Sequence, residues 1–385
     1  MEELREKINE AIEDSGLDAW LAFGADNFRY LSGIILPFAE YYPERRFALI
    51  LPKNGTPTIM CPVDWYQAVV NQGWKGEVFT YDENKKAEGG AFVRALGDAL
   101  DSLNLVAGTL GLDSSRVTVS LTRSLPWALP WAEWESVDTI LRGIRIMKTP
   151  SEIDRIEKAC IHGDRGIVYA LMHLEGTLPE PGYTVAEFTE RIRVHVNENG
   201  SSGVAHLNAS FGEDARILYS PNRGKVREGL IFRMDVSNHY MGYWSNLGRM
   251  GVTGEPTPKQ EEAYQKNLDL KEVALDMIKP GIACSEIFSQ VVETAAKEGI
   301  DIWKEPGIGH GVGVNHHEPP YLIRGYEEPI NEGMVIALDI YTYGPDRELI
   351  HNKDIYEVIE EGLRRLSWYR SWDRLYAVTG FRATH

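Results

Sequence analysis

Cysteine is nearly missing from this chain. Cys61, Cys160 and Cys284 are the whole supply, odd in number, far apart and without CxxC spacing. That pattern argues against a disulfide scaffold and against a zinc–thiolate site, and a reducing cytoplasm is expected. No apolar run approaches the roughly 18–20 residues of a membrane span. The opening Met1-Glu2-Glu3-Leu4-Arg5 reads as a charged helix start and not as a secretion signal. Positive charge is short as well: 40 Lys and Arg against 57 Asp and Glu leave a net charge of −17. Nucleic acid and anionic membrane surfaces, which need basic patches, are disfavoured as partners. No GxGxxG or GxxxxGK[ST] follows a strand pattern, so a nucleotide site has little support.

What is present fits a globular protein with a sizeable core: 43% hydrophobic and 25% charged residues over 385 positions, long enough for two or three domains. Residues 1–145 alternate between helix and strand patterns. Helices are predicted near 3–15 and 91–103, and strands at 18–23, 46–51, 57–61, 77–81 and 108–112. Lys53-Asn54-Gly55 marks a hairpin between two of the strands. Trp127, Trp131 and Trp134 gather beside Pro126 and Pro130, a density that suits core or interface packing or a pocket for a cation.

A boundary is predicted near 142–148. Beyond it, Thr149-Pro150-Ser151-Glu152, Thr184-Val185-Ala186-Glu187 and Thr257-Pro258-Lys259-Gln260 each place a threonine N-cap three residues before Glu or Gln, opening three helices. A fourth helix is predicted over 285–297. Strands are predicted over 230–254, 334–343 and 350–359, so this part reads as α+β. Residues 368–385, rich in Trp, Tyr and Arg, read as a tail that packs on the body or on a second subunit.

The stretch around which the chain is organised is Pro306-Gly307-Ile308-Gly309-His310-Gly311-Val312-Gly313-Val314-Asn315-His316-His317-Glu318-Pro319-Pro320. Glycines this dense permit close backbone approach or positive φ. Histidines held in such a backbone are candidates for metal binding or proton transfer, or else hydrogen-bond within a turn.

The second part resembles the catalytic domain of the creatinase, prolidase and aminopeptidase P superfamily, the pita-bread fold. The resemblance rests on Ile144-Arg145-Ile146-Met147-Lys148, the strand hairpin from Asp235 to Gly254, and Gly309-His310-Gly311-Val312-Gly313 through His317-Glu318-Pro319. Glu332-Gly333-Met334-Val335 and the strand after Asp354 complete it. The first 145 residues look like the creatinase-type N-terminal domain. The resemblance therefore implies an α/β N-terminal domain (1–145), an α+β pita-bread catalytic domain (146–367) and a tail (368–385).

Metallopeptidases of that family hold two divalent metals on two Asp, one His and two Glu. The first aspartate falls on Asp235 and the histidine on His310. The second aspartate falls on Asn246, the first glutamate on Asp339 and the last glutamate on Lys353. An amide oxygen is a weaker ligand than a carboxylate. Lysine matters most, because its ammonium puts a point positive charge where the family holds metal charge. At about 4 Å that repulsion amounts to several kcal/mol at an effective dielectric near 20. No metal is expected; if one binds, Asp235, His310 and Asp339 are the ligands, with manganese, iron or zinc as the ion. Lys353 is expected to pair with Asp235 or Asp339.

The leading expectation is a metal-independent hydrolase cleaving a C–N bond in a guanidino, amidine, cyclic amidine or amide compound that carries a carboxylate. Creatinase, similar in lacking the metal set, offers the precedent, although its essential histidine falls here on Leu218. Candidate catalytic residues are His317, which matches the family's substrate-facing second histidine, then His310, Lys353, Asp339 and Glu318. Asp235, Asn246 and Tyr243 are candidate substrate contacts. Arg45 and Arg46, in the 38–46 loop that contributes to the partner's pocket in creatinase-like members, are further candidates for a substrate carboxylate. His206 and His239 match no family position. The alternatives are a single-metal Xaa-Pro peptidase or lyase, and a non-catalytic descendant that binds a ligand or partner. A homodimer is expected.

Overall fold

Lys53-Asn54-Gly55 does turn the chain: the strands Ala48–Pro52 and Thr58–Pro62 on either side pair antiparallel. In the computed structural model the described residues are 2–36, 39, 42, 44–85, 90–177, 182–305 and 307–379. Pro306, much of the 38–46 loop and the last residues of the tail lie outside them. Two units divide the chain, Met1–Arg145 and Ile146–His385.

The first unit is a six-stranded mixed sheet in the order 77–81, 58–62, 48–52, 19–22, 109–112, 133–136. The helix Ala91–Ser102 buries Phe92, Leu96, Ala99 and Leu100 in a cluster with Leu21, Ile50 and Leu110. Each Leu, Ile or Phe side chain taken fully out of water stabilises by about 1.5–3 kcal/mol. Trp127 and Trp131 are exposed, so neither the core nor a pocket claims them. The helix Val119–Ala128 that carries Trp127 contains Pro126, and its threonine cap is Thr118.

The second unit stacks helices on three sheets. The helix Pro150–Thr177 lays Ile153, Ile156, Cys160, Ile167, Leu171 and Leu174 on one buried stripe at helical spacing. Asp164 sits within that stripe and is fully buried. The helices Val185–Glu198 and Pro258–Met277 both open with complete capping boxes on Thr184 and Thr257, each worth about 1 kcal/mol. A β-sheet runs 376–378, 247–253, 231–240, 203–211, so the tail adds a parallel edge strand to the hairpin. Trp372 is buried there, its carbonyl accepting from Tyr264 and Asn352. A second sheet runs 318–321, 309–311, 335–338, 354–359, 362–365, and a third 302–303, 341–343, 349–351.

Two expected strands are each two. The 334–343 stretch breaks at Asp339-Ile340, where the chain leaves Val335–Leu338 in one sheet and enters Tyr341–Tyr343 in another. The 350–359 stretch breaks at Asn352-Lys353 between Leu349–His351 and Asp354–Ile359, returning to the first of those sheets. No helix among the described residues is long and apolar enough to cross a membrane.

Candidate functional site

The strand breaks are what aim the site. A strand residue inside a ladder alternates faces, whereas a residue at a crossover points out between sheets. Asp339 and Lys353 occupy the two breaks. Asp235 and Ser237 project from one face of the strand Ile231–Tyr240, and Asn246 precedes the strand Leu247–Thr253. His310 is central in Gly309–Gly311, paired on both sides, with Tyr321 opposite on one strand and Ala337 on the other. The flanking glycines serve close approach: a Cβ on Gly311 would meet Pro319 O at 2.2 Å, and one on Gly309 would meet Ala337 O at 2.8 Å. All these residues converge on a cleft of about 550 Å³, walled by His206, Leu218, Tyr219, His316, His317, Tyr321, Ile323 and Tyr341.

Lys353 is the centre. Its Nζ donates to Asp235 Oδ1 at 3.1 Å, Asn246 Oδ1 at 3.0 Å and Asp339 Oδ2 at 2.9 Å. Three acceptors match the three protons of an ammonium. The side chain is 3% exposed. Burial alone would push the amine down, but Asp235 and Asp339 outweigh it and hold it above its ordinary value, so it is charged. Burial likewise opposes ionisation of the two aspartates, and Lys353 holds both below the usual carboxylate range. Lys353 thus pairs with both expected partners and with Asn246 in addition.

His310 donates from Nδ1 to Gly311 O at 2.9 Å, which leaves Nε2 as the acceptor for Asn246 Nδ2 at 3.2 Å. That pairing fixes a neutral tautomer. Burial, then the charge of Lys353, pushes His310 down to about 4. His317 stacks on it with ring centroids 3.6 Å apart. Its outer edge is exposed and makes no hydrogen bond among the described residues. Desolvation of the packed ring, then His310 and Lys353, drives it well below the imidazole range as well. Both histidines are candidates for proton transfer, and their surroundings keep them neutral near neutral pH. His316 meets the edge of Trp244, and His206, unmatched by the family pattern, is a cleft wall.

Four expected site residues are employed elsewhere. Glu318 accepts from Lys148 Nζ at 2.9 Å in a buried pair and from Asn315 N at 3.4 Å, so it ties the loop after His310 instead of activating water. Tyr243 donates to Glu152 at 3.1 Å, under the start of the helix Pro150–Thr177. The guanidinium of Arg45 is shared between Asp64 and Glu83, both at 2.6 Å, over the ring of Trp65, and so has no fork left for a substrate carboxylate. Arg46 donates to Thr118 Oγ1 at 3.0 Å.

Sequence reasoning missed three residues. His351 donates from Nδ1 to Asp339 Oδ1 at 3.2 Å. Tyr341 donates to Asp235 Oδ2 at 3.3 Å. Arg233, 1% exposed, donates from Nη2 to Ile217 O and Leu218 O, both at 2.7 Å, and holds the segment that carries Leu218 and Tyr219 at the cleft wall. A signal was available for one of them: Arg233 lies two residues before Asp235 on the same strand face.

A six-stranded first unit followed by a hairpin, a paired histidine strand and two strand breaks converging on one cleft defines the creatinase/prolidase type of protein. Residues 154–362 match the metallopeptidase family M24, and residues 5–147 match the creatinase/prolidase N-terminal domain. The chain belongs to the metallopeptidase family M24. It is 28% identical over 366 residues to a probable dipeptidase PepE of Mycobacterium tuberculosis, covering 91% of this chain and 90% of that one. It is 27% identical over 369 residues to an Xaa-Pro dipeptidase of Pyrococcus horikoshii, covering 95% and 97%. An Xaa-Pro dipeptidase of Lactobacillus helveticus is 23% identical over 359 residues, covering 90% and 94%. Among solved structures, the X-Pro aminopeptidase of Thermotoga maritima superposes with a TM-score of 0.82 at 20% identity, covering 97% of this chain and 99% of that one. The prolidase of Pyrococcus horikoshii gives 0.77 at 24% identity, covering 95% and 98%.

These relatives overturn the leading expectation, a metal-independent hydrolase for a guanidino, amidine, cyclic amidine or amide compound, and favour the alternative of an Xaa-Pro peptidase. These three proteins, which match nine tenths or more of this chain, carry dipeptidase names.

The family name implies a metal, and the donor set here does not fit one as it stands. Among the described residues no group of three or more His, Cys, Asp or Glu side chains is gathered for an ion. The oxygens of Asp235, Asn246 and Asp339 face an ammonium, and the free lone pair of His310 faces an amide N–H.

Proposed function

We propose that the cleft takes short Xaa-Pro peptides and that the chain hydrolyses them. One observation carries the reading: relatives named Xaa-Pro dipeptidase match nine tenths or more of this chain and of their own length. The cleft agrees with it in size, since small-ligand sites run from about 300 to 1,000 Å³. Tyr219, Tyr321, Ile323 and Tyr341 offer flat, largely apolar surface to a proline ring. At the floor, Asp235 and Asp339 against Lys353 leave one negative charge in excess, before the more distant Arg233 is counted. That excess suits the free amino group of a dipeptide. The exposed edge of His317 faces the same space and provides a hydrogen bond to the peptide group lying across it.

The test is release of free proline from Ala-Pro and Gly-Pro, with Ala-Ala as comparison, in chelator and again with added manganese or zinc. Faster release from the prolyl peptides supports the reading. No turnover of any of the three under any of these conditions sinks it.

A second reading, binding without cleavage, has its own observation. All three protons of Lys353 and both nitrogens of His310 are already engaged, which leaves the floor without a group to activate water. Calorimetric binding of Ala-Pro with no product formed is the result that favours it.

A further inference from the structure

We propose that Lys353 is a permanent, locked cation in the place where this fold accommodates a divalent ion, and that it bars such an ion from the cleft.

Three features carry this. The first is occupancy. The ammonium lies within hydrogen-bond distance of Asp235, Asn246 and Asp339, which arrive from three different stretches of backbone. A divalent ion using the same oxygens would need them at about 2.0–2.6 Å, on a point that Nζ already fills. The second is charge. The ammonium balances one of the two carboxylates and repels any further cation at short range.

The third feature is that the backbone of Lys353 is held in place. Its N–H donates to Gly248 O at 3.1 Å, and its carbonyl accepts from Gly248 N at 3.2 Å. The same carbonyl accepts from Arg249 Nη1 at 2.6 Å. Arg249 is fully buried and held by Asp164 at 2.9 Å through both Nε and Nη2, and by Asp354 at 3.1 Å. Asp354 in turn takes Lys271 and Arg365. An ionic network spanning two helices and two sheets therefore clamps the backbone from which the ammonium projects. A salt-bridged lysine at the end of an open loop would exchange with an ion; this one is fixed at its root.

The inference does not rest on the peptidase reading, because it is tested without peptide. The wild-type chain is freed of metal, equilibrated with Mn²⁺ or Zn²⁺, and its metal content is measured by mass spectrometry beside its melting temperature. The expected result is far less than one ion per chain and an unmoved melting temperature, since only an ion bound to the folded state shifts it. The double variant N246D/K353E supplies two more carboxylates. It is expected to hold about one or more Mn²⁺ per chain, with a melting temperature that climbs with Mn²⁺ concentration. K353R keeps the charge and is expected to stay metal-free. Should the double variant fail to fold, K353A opens the space while keeping Asp235, Asp339 and His310. It is expected to bind Mn²⁺ at least about tenfold more tightly than the wild type. A wild-type chain that takes up one tightly held ion overturns the proposal, and so does a folded N246D/K353E or K353A that takes up none.

Discussion

Asp339 divides its carboxylate between two cationic or cation-capable neighbours: Oδ2 lies 2.9 Å from Lys353 Nζ, and Oδ1 lies 3.2 Å from His351 Nδ1. His351 is fully buried, and burial pushes its pKa down, so it meets Asp339 as a neutral donor. Its Nε2 has no hydrogen-bond partner among the described residues. One aspartate is thereby oriented by an imidazole and paired with an ammonium. The arrangement recurs at Asp235, where Tyr341 orients the carboxylate and the same Lys353 ammonium pairs with it.

Removing the ammonium while keeping the stem isolates its electrostatic part. K353M leaves Asp235 and Asp339 facing each other in a buried site. Breaking a buried pair from one side costs about 3–5 kcal/mol. Urea unfolding is expected to show a loss of that size, and an unchanged midpoint would refute the ion-pair account.

Gly248 is where shape can be tested separately from charge. A Cβ there would come within 2.5 Å of His351 Cε1 and 2.8 Å of Lys353 Cβ. G248A is expected to cost about 1–3 kcal/mol through overpacking. It is also expected to weaken Ala-Pro binding, because both partners of Asp339 are displaced. Calorimetry on the folded variant checks the second point.

Glu318 separates structure from catalysis. E318Q leaves the buried Lys148 ammonium facing an amide, and stability is expected to drop by about 3 kcal/mol. Turnover and peptide affinity per folded molecule are expected to stay within a factor of about two of wild type, a change near the limit of significance. A large fall in kcat with stability intact would return Glu318 to the active groups.

The histidines set the acid limb of stability. The pKa of His310 is about 4 in the fold, against an ordinary value of 6.5. Between those values the unfolded chain binds more protons than the folded one, so stability is full above about pH 6.5 and falls as pH drops toward 4. His206 and His351 are lowered in the same direction and add to the slope. Melting temperatures from pH 8 to 4 are expected to decline before the carboxylates titrate. H310N is expected to flatten that early decline.

Local signals were legible where a side chain acts on its own backbone. The Asn-Gly hairpin and the capping boxes on Thr184 and Thr257 are of that kind. The strand breaks at Asp339 and Lys353 were not, because Val335-Ile336-Ala337-Leu338-Asp339-Ile340-Tyr341 contains no glycine or proline to announce a change of sheet. The strand Gly203–Phe211 also went unread: it buries Asn208 and Ser210 beside apolar residues, which spoils the alternation. At the site, the pairing of Lys353 with acids followed from charge alone. The misplacement of Glu318 arose because adjacency to His317 in sequence says nothing about direction, and its partner Lys148 lies 170 residues away.

The two strand breaks carry a consequence for how such a fold diversifies. Asp339 and Lys353 stand where the chain passes between sheets, outside the named strands on either side. Substitutions at these two positions can invert the charge at the heart of the cleft while each flanking strand keeps its register. A lineage can thus exchange one cleft chemistry for another through a pair of point changes, with the scaffold inherited whole.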